Sequence, residues 1–66
     1  MSWQVRKHEG AIKTVVAGFA AEADAKADAL ARCVDRAAEY VVFDPKSNEV
    51  GRAIFDDGAA SWHAAP

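Results

Sequence analysis

A few polar side chains in this 66-residue sequence are of the types that enzymes use for nucleophilic or acid–base chemistry. Ser61 and His63 are two residues apart, which on a strand places both on one face, and Asp56 and Asp57 precede them. Such spacing arises at any polar strand end, whereas catalysis needs a nucleophile, a base and an acid that converge in a pocket. A domain this small has little room for a pocket that buries a substrate. We therefore predict a protein that is not an enzyme.

Metal-ligating residue types are present but dispersed along the chain. His8 and Glu9 lie near the N-terminus, His63 lies near the C-terminus, and Cys33 stands between them, so the spacing is not that of a zinc site. The four glycines are isolated and do not form a phosphate-binding loop. We expect no metal and no cofactor, and we expect Cys33 to be a small buried residue.

Composition limits the class of protein further. The formal net charge is −2, whereas nucleic-acid binders carry a basic patch, so a nucleic-acid partner is not favoured. The single cysteine cannot form an internal disulfide, and residues 1–10 contain no apolar run of signal-peptide length. No stretch approaches the roughly 20 apolar residues of a membrane span. We expect one domain over residues 1–66, in the cytoplasm and without a membrane contact.

One stretch, from Phe19 to Val41, has sustained helical periodicity. We predict a helix from Ala25 to Ala38 with Asp24 as its N-cap, because an aspartate can accept hydrogen bonds from the free amides of the first turn. The predicted apolar face is mostly alanine and consists of Ala23, Ala27, Leu30, Val34, Ala37 and Val41. The predicted polar face consists of Asp24, Asp28, Arg32, Asp35 and Glu39.

Short strands are predicted on both sides of this helix. Turn signals at Glu9-Gly10, at residues 44–48 and at Asp57-Gly58 separate segments rich in β-branched and aromatic residues. The predicted strands are Trp3–His8, Ile12–Phe19 with a bulge or a close backbone approach at Gly18, Tyr40–Asp44, Val50–Phe55 and an optional fifth strand at Ala60–Ala64. The fold class is therefore α+β, with one helix packed on an antiparallel sheet of four or five strands in the order β-β-α-β-β(-β).

Two of these strand segments are apolar on both sides. Residues 15–17 and 40–43 do not alternate as strands with one solvated face do. If they are simply central strands, a modest exposed apolar patch would explain them. Otherwise something covers part of the second face, and the candidates are a second copy of the chain, which would make a homodimer, or a foreign protein.

Acidic residues and one tryptophan are the candidate partner-binding residues. The side chains of Asp24, Asp28, Asp35 and Glu39 would form one stripe along the predicted helix, suited to a basic groove that normally holds nucleic acid. The alternative is an ordinary solvated helix face. Trp62, near the end of the chain, is the candidate aromatic anchor, because tryptophan is enriched at binding hot spots.

Two resemblances accompany this arrangement. The segment DAKADALARCVDRAAEYVVFD, from Asp24 to Asp44, resembles a family of small uncharacterised bacterial β-β-α-β-β proteins, although the turn at Pro45–Asn48 is longer. Size, acidity and element order resemble phage-encoded anti-CRISPR proteins, and the closing GRAIFDDGAASWH is similar to the strand, Asp-Gly turn and aromatic strand that end some of them. The second resemblance implies an inhibitor that binds a CRISPR effector complex and blocks DNA access or nuclease recruitment, without any motif that carries over a functional residue.

The sequence thus leaves three functions open. The first is a non-catalytic protein-binding module of the anti-CRISPR type. The second is a small bacterial structural or regulatory protein, and the third is a weak nucleic-acid-binding protein.

Overall fold

The computed structural model describes residues 2–66, which form one open sheet and one helix in the order β-β-α-β-β-β. The elements are β1 (Trp3–Glu9), β2 (Ile12–Phe19), α1 (Glu22–Arg32), β3 (Glu39–Phe43), β4 (Glu49–Asp56) and β5 (Ala59–Ala64). All neighbouring strands are antiparallel, and their spatial order is β2-β1-β3-β4-β5. The α+β class is confirmed, and the optional fifth strand is present.

The turns follow the chemistry that the sequence predicts. Gly10 follows β1 with a φ of 60°, and Asp57 and Gly58 both have positive φ, as the two-residue turn between β4 and β5 requires. In the longer turn between β3 and β4, the Asp44 carboxylate accepts hydrogen bonds from the backbone amides of Lys46 and Asn48, each at 2.9 Å. These two amides lower the pKa of Asp44.

The helix bounds differ from the prediction at both ends. The helix begins at Glu22 rather than Ala25, and its N-cap is Ala21 rather than Asp24, which lies in the first turn. The last helical residue is Arg32, and the chain bends over residues 35–37. There the Asp35 carboxylate accepts a hydrogen bond from the amide of Ala37 at 2.9 Å. A local bond of this kind competes with helix continuation, which accounts for the earlier end.

The helix packs through a face that overlaps the predicted one only at Leu30, which packs against the core as predicted. Ala25 and Ala29 are completely buried, and Cys33 just beyond the helix is almost so, whereas Ala23 and Ala27 are exposed. Alanine occupies every second position of this helix, so alanine spacing alone does not distinguish one face from another. We call the side of the sheet that contacts this helix the helix face. Its buried residues are Val5, Val42 and Ala53, which form one cluster with Ala25, Ala29 and Cys33.

The apolar runs that suggested a covered second face have local explanations. The pairing of β1 with β2 shifts register so that Val5 faces Ala17 and Arg6 faces Val15, which leaves Val16 as the extra residue of a β-bulge. The bulge is therefore at Val16. The sequence had suggested Gly18 as its position. In β3, successive side chains lie on opposite faces of the sheet, since Val42 belongs to the helix-face cluster and Val41 does not.

Candidate functional site

The side of the sheet away from the helix, here called the open face, carries most of the ordered polar contacts of the strands. One row of directly paired residues crosses all five strands there, and directly paired residues share a face. The row consists of Val15, Arg6, Val41, Arg52 and His63. Two arginines thus flank a central valine on an otherwise uncovered surface.

Val41 shows that this surface is closely packed. It has no exposed surface, although its side chain lies on the side away from the helix. Its paired neighbours Arg6 and Arg52 have long aliphatic stems, which can cover apolar surface while the charged ends stay in water. The stems of Arg6 and Arg52 are therefore placed to cover Val41, for which a second copy of the chain or a foreign protein was one of the two explanations of the apolar run.

Arg6 is held in place by two neighbours. Its Nε and Nη2 atoms donate hydrogen bonds to Gln4 Oε1 at 3.1 and 2.8 Å. Its guanidinium carbon lies 4.0 Å from the centre of the Phe43 ring, within the range of a cation–π contact. Among the contacts of residues 2–66, this guanidinium forms no ion pair with a carboxylate.

Arg52 is held by two carboxylates. Its Nε and Nη2 atoms donate to the two oxygens of Glu49 at 3.1 and 2.8 Å, and its Nη1 atom donates to Glu39 at 2.6 Å. These charge-assisted hydrogen bonds raise the pKa of the guanidinium. We call Arg6, Arg52 and their partners Gln4, Phe43, Glu39 and Glu49 the arginine cluster. Its side chains are held by hydrogen bonds, ion pairs and a cation–π contact within the chain.

A cavity of about 330 Å³ opens at one end of this cluster. Its lining consists of His8, Gly10, Arg36, Ala37, Ala38, Glu39 and Arg52. Burial lowers the pKa of His8, and the nearby charges of Lys13 and Arg52 lower it further, while Glu49 and Glu39 oppose them. His8 is thereby favoured in its neutral form, in which it can both donate and accept a hydrogen bond.

The predicted acidic stripe does not exist as a stripe. Asp24 and Asp28 lie on the helix, whereas Asp35 lies in the bend after it and Glu39 begins β3. Two of the four are already in ion pairs, Asp28 with Arg32 at 2.7 Å and Glu39 with Arg52 at 2.6 Å. The stripe was predicted from a helix that continues to Ala38, and the end of the helix at Arg32 separates its members.

Trp62 lies on the helix face of β5 and is half-buried there. Its ring packs over Gly51, where a side chain would overlap it, and Lys26 from the helix lies 5.1 Å from the ring centre. The structure thus places Trp62 on the opposite side of the sheet from Glu39 and the arginine cluster. A single partner surface does not meet both without wrapping around the edge of the sheet.

The other polar candidates lie apart from one another. Ser61 Oγ is 3.0 Å from His63 Nε2, and both side chains are exposed on β5, away from the cavity. Cys33 is buried as predicted, with its thiol 3.6 Å from the backbone oxygen of Ala53, and burial raises its pKa. Within residues 2–66, no three side chains of the metal-ligating types lie close enough together to hold an ion.

Comparison of this chain with protein-family models, with curated proteins and with solved structures finds no match in any of the three. In the part of the chain that the structure describes, no helix has the length and apolar character needed to cross a membrane.

Sequence reasoning missed the arginine cluster. Arg6 and Arg52 are 46 positions apart in the printed sequence, and only the strand order places both beside Val41. A partial signal was present, because Arg6 alternates with Val5 in one predicted strand and Arg52 stands between Gly51 and Ala53 in another. That alternation identifies outward-facing residues but not which strands are neighbours.

Proposed function

We propose that this chain is a non-catalytic module that binds a protein partner through the open face of its sheet. The observation that supports this best is the prior ordering of Arg6 and Arg52 around a buried Val41 and the Phe43 ring. Arginine and aromatic residues are enriched at interface hot spots. Side chains that are fixed before binding lose less conformational entropy when the complex forms.

The charges of this surface favour a partner with acidic groups. Arg6 faces Val15 and Val41 rather than a carboxylate, and Lys13 pairs with His8 on the same face. Arg36, which lines the cavity, is largely exposed and has only a long 3.6 Å contact to Asp56. An acidic side chain of the partner would meet these cations, and the cavity beside Arg36 has space for it. The earlier expectation of a basic partner rested on the acidic stripe and is not retained.

A protein partner is favoured over a nucleic acid for two structural reasons. Single-strand binders stack bases on exposed aromatic rings, but the face of Phe43 is occupied by the Arg6 guanidinium. A nucleic-acid backbone needs a row of unpaired cations, whereas on this face Arg52 is bonded to two carboxylates, and only isolated cations such as Arg6 and Lys13 remain to meet single acidic groups.

The resemblance to anti-CRISPR proteins adds a finer proposal, in which the partner is a CRISPR effector complex and binding blocks its access to DNA. The resemblance rests on size, acidity, element order and the closing residues 51–63. Under this proposal the open face contacts a protein subunit of the complex.

The experiment compares the wild-type protein with Arg6→Ala on the open face and Arg32→Ala on the helix. Both remove one arginine from a hydrogen-bonded contact, but only Arg6 belongs to the arginine cluster. A partner obtained by affinity purification should bind Arg6→Ala at least about tenfold more weakly, and Arg32→Ala as tightly as wild type. Equal binding by all three proteins would show that the open face is not the interface.

The finer proposal has its own readout. Purified effector complexes are mixed with target DNA in the presence of each of the three proteins, and DNA binding is measured. We expect wild type and Arg32→Ala to inhibit binding and Arg6→Ala to inhibit it weakly. If none of them inhibits any effector type, the CRISPR proposal is wrong while the binding-module proposal stands on the affinity data. Direct, steeply salt-dependent binding of the protein to DNA or RNA alone would instead support a nucleic-acid binder.

A further inference from the structure

The two edges of the sheet differ in how they are protected against pairing with another strand. Natural edge strands carry lysine, proline or bulges that discourage such pairing. The β2 edge has Lys13 and the bulge at Val16. The β5 edge, from Ala59 to Ala64, has neither lysine nor proline, and over its six described residues the pairing with β4 is unbroken. Apart from its single tryptophan, the strand consists of three alanines, one serine and one histidine.

The turn before β5 fixes which backbone groups this edge presents. A two-residue turn makes its flanking residues, Asp56 and Ala59, a hydrogen-bonded pair, and such pairs recur at every second position. Counting in steps of two from Asp56 and Ala59 makes Val50 and Ala65 such a pair, and the amide of Ala65 does donate to the backbone oxygen of Val50, at 3.1 Å. The backbone N–H and C=O groups of the intervening residues therefore point away from the sheet, and those residues are Ala60, Trp62 and Ala64.

This edge is complementary to itself. If an antiparallel copy is centred on Trp62, the outward groups of the two strands meet in register, since each Ala60 then lies opposite Ala64 of the second copy. On the helix face the two Trp62 residues lie directly opposite each other with alanines on either side, and each ring stays over Gly51 of its own chain. On the open face each Ser61 lies opposite His63 of the second copy, and no acidic or lysine side chain of β5 opposes another.

We propose that β5 pairs with β5 of a second copy of this chain, which joins the two sheets into one of ten strands with both helices on the same side. The pairing is isologous, so it closes at two copies. It combines backbone hydrogen bonds along the edge with further burial of the two half-buried Trp62 residues that lie opposite each other. The proposal does not depend on the identity of any other partner, because it uses an edge of the sheet rather than the open face.

The first test introduces charged side chains at Ser61 and His63. Both residues are exposed and therefore tolerant of substitution. The double variant Ser61→Lys, His63→Lys places lysine opposite lysine twice in the dimer. Its matched control, Ser61→Lys, His63→Glu, places lysine opposite glutamate twice. By sedimentation equilibrium, we expect the first variant to dimerise at least about tenfold more weakly than wild type, and the control to dimerise as tightly as wild type or more tightly.

The second test locates the interface by amide hydrogen exchange from micromolar to millimolar protein. The amides of Ala60, Trp62 and Ala64 should become protected as concentration rises, whereas amides on the β2 edge should not. Three results would each overturn the proposal: a monomer throughout the concentration range, concentration-dependent protection on β2, or growth into open-ended oligomers. Equal dimerisation by the two double variants would also overturn it.

Discussion

The helix face and the open face of the sheet share the same strands but are ordered by different interactions. On the helix face, small apolar side chains are buried against the helix, as Val5, Val42 and Ala53 show. On the open face, the buried apolar residue is Val41, and arginines surround it. Close packing orders the first face, and hydrogen bonds, ion pairs and a cation–π contact order the second.

The difference predicts how each face responds to change. Packing of small residues is insensitive to salt and pH but intolerant of added volume. Ion pairs with partial exposure tolerate changes in shape but weaken with salt. A surface of the second kind holds its charged groups in place while leaving them partly exposed, which suits a binding surface better than a structural one.

The largest expected effect is on the helix face, at Gly51. A Cβ atom there would overlap the Trp62 ring and lie 2.8 Å from the backbone oxygen of His63. Because neither the ring nor the backbone of β5 can move freely, we expect Gly51→Ala to lower the free energy of unfolding by about 3 kcal/mol, as overpacked sites do. Urea unfolding measures this change.

Gly18→Ala is the matched control for this substitution. Its Cβ would make ordinary contacts, the nearest at 3.6 Å from Ser2 Oγ, and the residue does not have a positive φ. Stability should therefore stay the same or rise slightly, because alanine restricts the unfolded chain more than glycine does. Equal losses at both positions would mean that the Trp62 ring does not occupy the space over Gly51.

The next effect tests whether arginine stems bury an apolar residue on the open face. Val41→Ala should cost about 2 kcal/mol, since two methyl groups leave a fully buried site. Val15→Ala removes the same atoms from the same cross-strand row at a position that is 53% exposed, and it should change stability by less than about 0.5 kcal/mol. Similar values for the two variants would show that the open face leaves Val41 accessible to water.

A smaller effect tests the ion pairs themselves. Arg52→Met keeps much of the aliphatic stem but leaves Glu39 and Glu49 without their shared partner. We expect a loss of about 1 kcal/mol in low salt, and the difference from wild type should narrow in molar salt because the lost ion pairs are screened there. Arg36→Met, which removes only a 3.6 Å contact between exposed groups, is the control. If the stability lost in Arg52→Met does not depend on salt, Arg52 stabilises the fold through packing rather than through its ion pairs.

These two faces also explain what the sequence could and could not predict. Alternating β-branched residues and turn residues such as Asp57-Gly58 act locally, so the strands, the hairpins and the α+β class follow from the sequence. The helix was harder because alanine at every second position allows several packing faces, and tertiary contacts selected Ala25 and Ala29. Beyond the end of the helix, the Asp35 carboxylate accepts a hydrogen bond from the amide of Ala37, which periodicity does not include.

Most of the candidate site could not be predicted from the sequence, for a related reason. The arginine cluster depends on β3 lying between β1 and β4, and that order is a property of the whole chain. The acidic stripe was predicted from helical spacing alone and failed when two of its members fell outside the helix, at Asp35 and Glu39. Trp62 was recognised as important, but its contacts with Gly51 and Lys26 became visible only in the fold.

The smallest expected effect concerns pH and the open face alone. Burial is the main cause that lowers the pKa of His8 below 6.5, with Lys13 and Arg52 contributing. Since the folded-state pKa is the lower one, the neutral ring stabilises the fold fully above about pH 6.5, and this contribution is lost as the pH falls from there through the folded-state pKa. Wild type should therefore lose more stability than His8→Gln between about pH 7.5 and about pH 5.5.

An NMR titration of the His8 ring, with signals assigned from a His63→Gln sample, should give a midpoint below 6.5. A midpoint above that value would mean that Glu39 and Glu49, which act in the opposite direction, outweigh burial, and the open face would then be more acidic in character than its geometry indicates.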